Sequence, residues 1–252
     1  VVTVAEAYRR TRKPKDILWN RFVARPLAAV VLVPLARTSV TPNQVTLATL
    51  VVFVAGALLM ALEPGYGALV AGAAILEASY VLDCVDGQLA RLKGTSSPIG
   101  AHLDFLMDEL KAFVLVAAVA VRLWRGGGEA RWLVEGLLAL VVVATAISLT
   151  TFVRRPEYAV ATGARQGRGA GDYGEGFALN DEDSGSAARR RPLPLRLVEA
   201  AGRFVVHYPS YILFVALANR IDWFLHVYAA ANALYAARAL LGVTVGLGRR
   251  RP

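Results

Sequence analysis

Asp83-Cys84-Val85-Asp86-Gly87-Gln88-Leu89-Ala90-Arg91, then eight residues, then Gly100-Ala101-His102-Leu103-Asp104-Phe105-Leu106-Met107-Asp108, is the stretch on which the reading of this chain turns. Both halves are flanked by strongly apolar sequence, so four carboxylates stand next to what reads as a membrane. On a helix Asp83, Asp86, Gly87 and Ala90 share one stripe, and so do Gly100, Asp104, Asp108 and Lys111. Two helices facing each other along these stripes bring four carboxylates together beside a gap kept open by small residues. Such a cluster is costly to desolvate and repels itself, so it must take up protons, pair with Lys or Arg, or bind metal. An all-oxygen donor set suits Mg2+ or Mn2+ and not zinc, which would want His or Cys. Ionisable residues within membrane segments read first as a functional site.

The rest of the chain supports the membrane reading. Hydrophobic residues make up 56% of the sequence, and several apolar runs are longer than a soluble core helix needs. The pattern predicts an all-α integral membrane protein with six transmembrane helices near 43–63, 67–91, 100–124, 132–153, 205–220 and 221–246. The fifth is interrupted by Pro209 and begins amid Arg203 and His207. Residues 16–37 alternate Asp16, Trp19, Asn20, Arg21 and Arg25 with Leu, Val and Ala, as in an amphipathic helix lying at the interface.

Basic residues precede span one (Arg9, Arg10, Arg12, Lys13, Lys15), lie between spans four and five (Arg154, Arg155, Arg189, Arg190, Arg191) and end the chain (Arg249, Arg250, Arg251). An even span count puts them on one side, which the positive-inside rule makes cytosolic, and Arg122, Arg125, Arg131 and Arg220 dissent weakly. The expected location is the inner or cytoplasmic membrane, with the aspartates reached from the cytosol. The chain then divides into a cytosolic N-terminal segment with the interfacial helix (1–42) and four spans with the acidic motif 83–108 (43–153). A cytosolic, partly flexible loop (154–204) and two spans with a basic tail (205–252) follow.

Within that loop, residues 156–191 are rich in Gly, Ser and mixed charge and read as a mostly flexible insertion, while 193–206 suit a short interfacial helix. The net charge of +9 is spread over loops that bracket apolar spans, which favours anionic lipid headgroups over nucleic acid as the partner. The single cysteine, Cys84, excludes an intrachain disulfide and reads as packing filler. No secretory signal is evident, and the start at Val1 reads as a trimmed or processed chain, with an upstream domain left open.

The quoted stretch resembles the signature of the CDP-alcohol phosphotransferase (CDP-alcohol phosphatidyltransferase) family, D-x2-D-G-x2-A-R followed by G-x3-D-x3-D, with every fixed position filled. Thr41-Pro42-Asn43 is similar to that family's entry to its first helix. The resemblance implies phosphoryl transfer from a CDP-linked donor to an acceptor hydroxyl, with release of CMP. It implies metal held by Asp83, Asp86, Asp104 and Asp108, in two ions, with Asp104 and Asp108 catalytic and Asp108 the base for the acceptor's proton. It places the nucleotide beside Asp83, Gly87, Ala90 and Arg91, the small residues letting cytidine and pyrophosphate approach the helix.

The acceptor is less legible. A cationic pocket would suit inositol phosphate or glycerol phosphate, with Lys111, Arg154 and Arg155 as contacts and Arg203 and Arg238 as further contributors. The expected enzyme is a phospholipid-synthesising transferase that uses CDP-diacylglycerol, with a homodimer as an open arrangement. A soluble donor such as CDP-inositol or CDP-choline is the alternative within the family, and a carboxylate-gated cation transporter the alternative outside it. His102, His207 and His226 read as local hydrogen-bonders, and no zinc spacing is present.

Overall fold

The computed structural model describes residues 3–12, 16, 18–162, 205 and 207–248. These are all-helical and fall into two compact units, one through Val114 and one from Leu115 onward. The first contains α1 (Val4–Thr11), a π-helical turn (Asn20–Ala24) leading into α2 (Arg25–Leu35), α3 (Pro42–Leu62), α4 (Tyr66–Lys93) and the first half of α5 (Pro98–Gly127). The second contains the rest of α5, α6 (Arg131–Val153), α7 (Pro156–Thr162), a 3-10 turn (Tyr208–Ser210), α8 (Ile212–Leu217) and α9 (Ile221–Gly248).

Local chemistry sets the ends of the site-bearing helices. Thr41 caps α3 by accepting from the Gln44 backbone N–H at 3.3 Å, while the Gln44 side chain accepts from the Thr41 N–H at 2.9 Å. Pro42 stands at the first position, where its missing N–H costs nothing. α4 ends at Gly94, whose φ of 66° is the left-handed conformation that a Cβ would strain. Lys93 then ties the helix end to the α2–α3 connection by donating to the Thr38 and Val40 carbonyls at 2.9 and 2.8 Å.

α3 and α4 cross almost backbone to backbone. A Cβ at Gly72 would lie 2.7 Å from the Met60 Cβ and 2.8 Å from the Gly56 carbonyl oxygen, and one at Gly56 would lie 2.7 Å from Ile75 Cγ2. Small residues at helix crossings are how membrane helices gain contact when lipid supplies no hydrophobic drive. Farther along both helices Ala7, Ala24, Ala28, Leu32, Val45, Cys84, Val85 and Leu89 form a core joining α1 to α4. Cys84 is buried there.

α2 and the turn before it turn their polarity inward. Arg25 is paired with Asp16, and Asn20 accepts from the Tyr80 hydroxyl at 2.6 Å while donating to Asp16 at 3.0 Å. Leu18, Phe22, Leu27 and Val30 are exposed on the other side. That arrangement fits a helix whose outer face meets apolar surroundings.

Three described helices are long and apolar enough to cross a membrane, namely α3, α4 and α6. Among the described residues, length and composition thus match three of the six expected spans. α5 has the length but carries Asp104, Asp108, Glu109 and Lys111 toward one end and Arg122 and Arg125 toward the other, and α9 carries Asp222, His226, Asn232 and Arg238. The expected fifth span, 205–220, is not one continuous helix. The chain breaks at the Tyr208–Ser210 turn, where Pro209 lacks a donor, and α8 has only six residues. At ~1.5 Å per residue a helix of that length reaches roughly 9 Å, against a ~30 Å hydrocarbon layer.

In the expected flexible insertion the described part, Pro156–Thr162, is helical. The remainder of 156–191, the expected helix at 193–206 apart from Val205, and Lys13, Lys15, Arg189, Arg190, Arg191, Arg203 and Arg249–Arg251 lie outside the described residues.

Candidate functional site

Asp83 on α4 and Asp104 and Asp108 on α5 each aim a carboxylate oxygen at a common point, with the three atoms within 4.8 Å of one another. The helical stripes account for this: Asp104 and Asp108 are one turn apart, and Asp83 faces them from the neighbouring helix. Lys111, one turn further along α5, donates to Asp83 Oδ1 and to Asp108 Oδ1, the latter at 3.1 Å. Its side chain is only 2% exposed.

Asp86 is held differently. It lies outside the converging trio and is buried, and its Oδ2 accepts from the Thr46 hydroxyl of α3 at 2.5 Å. Thr49, a turn further along α3, donates to the Thr46 carbonyl at 2.7 Å and keeps its hydroxyl 3.5 Å from Asp83 Oδ1. Ser79 of α4 completes the seam by donating to the Thr49 carbonyl at 2.7 Å. Thr46 and Thr49 were missed by the sequence reading. The available signal was their position, one and two turns into an apolar helix that opens with a capping box, where hydroxyls have no other evident use.

The small residues of the two stripes serve close approaches. A Cβ at Gly100 would lie 3.1 Å from Ser97 Oγ and 3.3 Å from Asn43 Oδ1, so its absence lets the start of α5 sit against the start of α3. A Cβ at Gly87 would lie 3.3 Å from Arg91 Nη1. The Arg91 guanidinium thus lies over Gly87, and its Nε donates to the Thr11 carbonyl at the end of α1 at 2.9 Å. Thr95, Ser96 and Ser97 form the exposed link between α4 and α5.

The remaining expected residues, His102 apart, belong to the second unit. Arg154 and Arg155 directly follow α6, the first half-buried and the second exposed, and Arg238 is exposed on α9. His226 on α9 bonds to Glu135 of α6 at 2.8 Å, which fits a local role. His102 is exposed on α5.

The residues present fit a hard divalent cation. All converging donors are carboxylate oxygens, and Asp104 Oδ1 is buried with no hydrogen-bond partner, which leaves a lone pair and a charge to be satisfied. The site lies near the end of α4, a helix long and apolar enough to span a membrane, which places it within reach of both a lipid and a soluble substrate.

Residues 39–170, more than half of the chain and the whole of this site, match the CDP-alcohol phosphatidyltransferase family. The chain belongs to that family. It is accordingly an integral membrane enzyme, a transferase of a phospholipid-synthesising family. Among curated proteins it is similar to the bifunctional IPC transferase and DIPP synthase of Aquifex aeolicus (strain VF5), 29% identical over 103 residues, which are 41% of this chain and 23% of that protein. The match thus spans about a quarter of the relative's length.

Among solved structures the fold is similar to that of the Mycobacterium tuberculosis phosphatidylinositol phosphate synthase. Its CDP-DAG-bound form aligns with a TM-score of 0.55 at 23% identity, covering 89% of this chain and 98% of that one. Its complex with manganese and citrate aligns with a TM-score of 0.53 at 24% identity, covering 89% and 93%.

Proposed function

We propose that this enzyme transfers a phosphatidyl group from CDP-diacylglycerol to a small polar alcohol, with inositol phosphate or glycerol phosphate as the favoured acceptor class. The observation that carries the reading is the convergence of Asp83, Asp104 and Asp108 beside a helix long and apolar enough to span the bilayer. The similar mycobacterial synthase, crystallised with CDP-DAG in one structure and with manganese in another, supports the donor and the metal.

Two Mg2+ or Mn2+ ions held by Asp83, Asp86, Asp104 and Asp108 would neutralise the donor's pyrophosphate and take up charge on the departing CMP. The acceptor hydroxyl attacks the phosphorus that carries diacylglycerol, the bond from that phosphorus to the CMP oxygen breaks, and the acceptor's proton passes to Asp108. Asp104, one turn away, would help hold the metal charge that the transferring phosphate needs. Gly87 and Ala90 leave the α4 surface low enough for the nucleotide, and Arg91 places positive charge at its rim. Arg154 and Arg155 are the cations suited to a phosphate on the acceptor. The basic residues that flank the spans support a site that faces the cytosol.

A soluble CDP-alcohol donor is the second reading. It draws on the Aquifex relative, whose name joins two activities other than phosphatidylinositol phosphate synthesis. Family membership leaves the cation-transporter alternative without support. Release of radiolabelled CMP, measured with CDP-diacylglycerol, CDP-inositol and CDP-choline against a panel of acceptors, decides between the donors. Turnover with CDP-diacylglycerol and a phosphorylated acceptor is expected, and turnover with a soluble donor alone overturns the proposal.

A further inference from the structure

Lys111 is among the largest fully buried side chains of the protein, and its ammonium bonds to one carboxylate from each of the two site helices, Asp83 of α4 and Asp108 of α5. A buried ammonium is tolerated only where its charge and donors are met, so this placement is specific. It also puts a covalently attached cation against two of the carboxylates that would hold a metal ion. The third member of the trio is treated differently, because Asp104 Oδ1 is buried and accepts no hydrogen bond. Asp86 stands apart, bonded to Thr46. The cluster is therefore asymmetric, with one side neutralised from within and the other left open.

Lys111 returns one positive charge to the converging carboxylates, so the site with Lys111 in place attracts a second divalent ion less strongly than the same site without it.

We infer that Lys111 is the resident second cation of the site. The nucleotide-free enzyme then holds a single divalent ion, on the Asp104 side, and a second enters only when the donor's pyrophosphate brings further negative charge. This rests on the reading that these aspartates hold divalent cations. It gives Lys111 a positioning role in metal occupancy in place of a contact to the acceptor. Its physical basis is that an ammonium and a metal ion cannot share the same pair of carboxylate oxygens at close range.

The test uses the full chain, purified in detergent and stripped with EDTA, and counts bound Mn2+ by electron paramagnetic resonance without nucleotide and with cytidine diphosphate. One ion per chain without nucleotide and two with it are expected for the wild type. Lys111→Met should take two ions without nucleotide, while Lys111→Arg, which keeps the charge, should take one. Two ions on the nucleotide-free wild type overturn the inference and leave the metal reading standing. So does a Lys111→Met protein that melts like the wild type in Mn2+ but still takes one ion. If Lys111→Met does not fold, the wild-type count decides alone. Absence of Mn2+ binding in every form overturns the metal reading itself.

Discussion

Thr46 on α3 donates its hydroxyl to Asp86 on α4 across 2.5 Å, in a place where both side chains are buried. Removing the donor leaves a desolvated carboxylate oxygen without its bond, which costs ~1.5–3 kcal/mol for a charged acceptor. Thr46→Val should therefore lower kcat/KM about ten- to a hundredfold, and Thr46→Ser, which keeps the hydroxyl, should recover most of it. CMP release and a thermal melt, measured on both variants, check this. A Thr46→Val variant that keeps wild-type turnover beside a Thr46→Ser variant that loses it would mean that the methyl packing matters and the bond does not.

The converging trio makes a sharper demand. Asp83→Asn, Asp104→Asn and Asp108→Asn each remove one ligand charge from a shared site, so turnover should fall on the order of a hundredfold or more. EDTA should abolish turnover in the wild type, and Mn2+ or Mg2+ should restore it. Full turnover of Asp83→Asn in metal-free buffer would end the metal-dependent reading.

At Gly87 a Cβ would lie 3.3 Å from Arg91 Nη1. Gly87→Ala should push the guanidinium aside and raise the donor KM severalfold, and Gly87→Leu should abolish donor binding while leaving the acceptor KM of any residual activity unchanged. Because the side chain would project from the α4 surface, the melting temperature should change little. A Leu variant with the wild-type donor KM would show that the nucleotide does not use this surface.

The orientation can be read at Thr95, which is exposed in the link between α4 and α5. A cysteine there, in a Cys84→Ala background, should react with a membrane-impermeant maleimide only when the cytosolic face is accessible. Reaction from the outer face of intact cells would invert the proposed topology.

Much of the first unit could be read from the chain because its signals are local. The Thr41-Pro42-Asn43 entry to α3 and the unbroken apolar runs place the helix ends within a few residues. The spacing of Asp83, Asp104 and Asp108 along two helices was equally legible, since one-turn spacing fixes a shared face. What the chain did not disclose depends on contacts between helices. The sequence places Lys111 on the acidic stripe but does not say that the ammonium bridges to α4, nor that Asp86 turns to Thr46 and away from the trio. The inward polarity of α2, with Arg25 and Asn20 facing the protein, likewise depends on Asp16 and Tyr80 as partners. Near residue 209 hydropathy suggested a span where a proline-bearing turn interrupts the helix.

The glycine crossing of α3 and α4 makes those helices a pair of levers. Gly72 is eleven positions from Asp83 along α4, on the order of 16 Å at ~1.5 Å per residue. The atoms nearest to a Cβ on either glycine at that pivot are backbone and the stems of Met60 and Ile75, so a side chain inserted there must spread or tilt the helices. A small angular change is multiplied along the arm, and it arrives where Thr46 and Thr49 meet Asp86 and Asp83. Gly72→Leu, though remote from every reacting atom, should therefore loosen the hydroxyl–carboxylate seam and slow turnover. The thickness of the surrounding bilayer, by setting the tilt of α3 and α4, gains a mechanical route to the same seam.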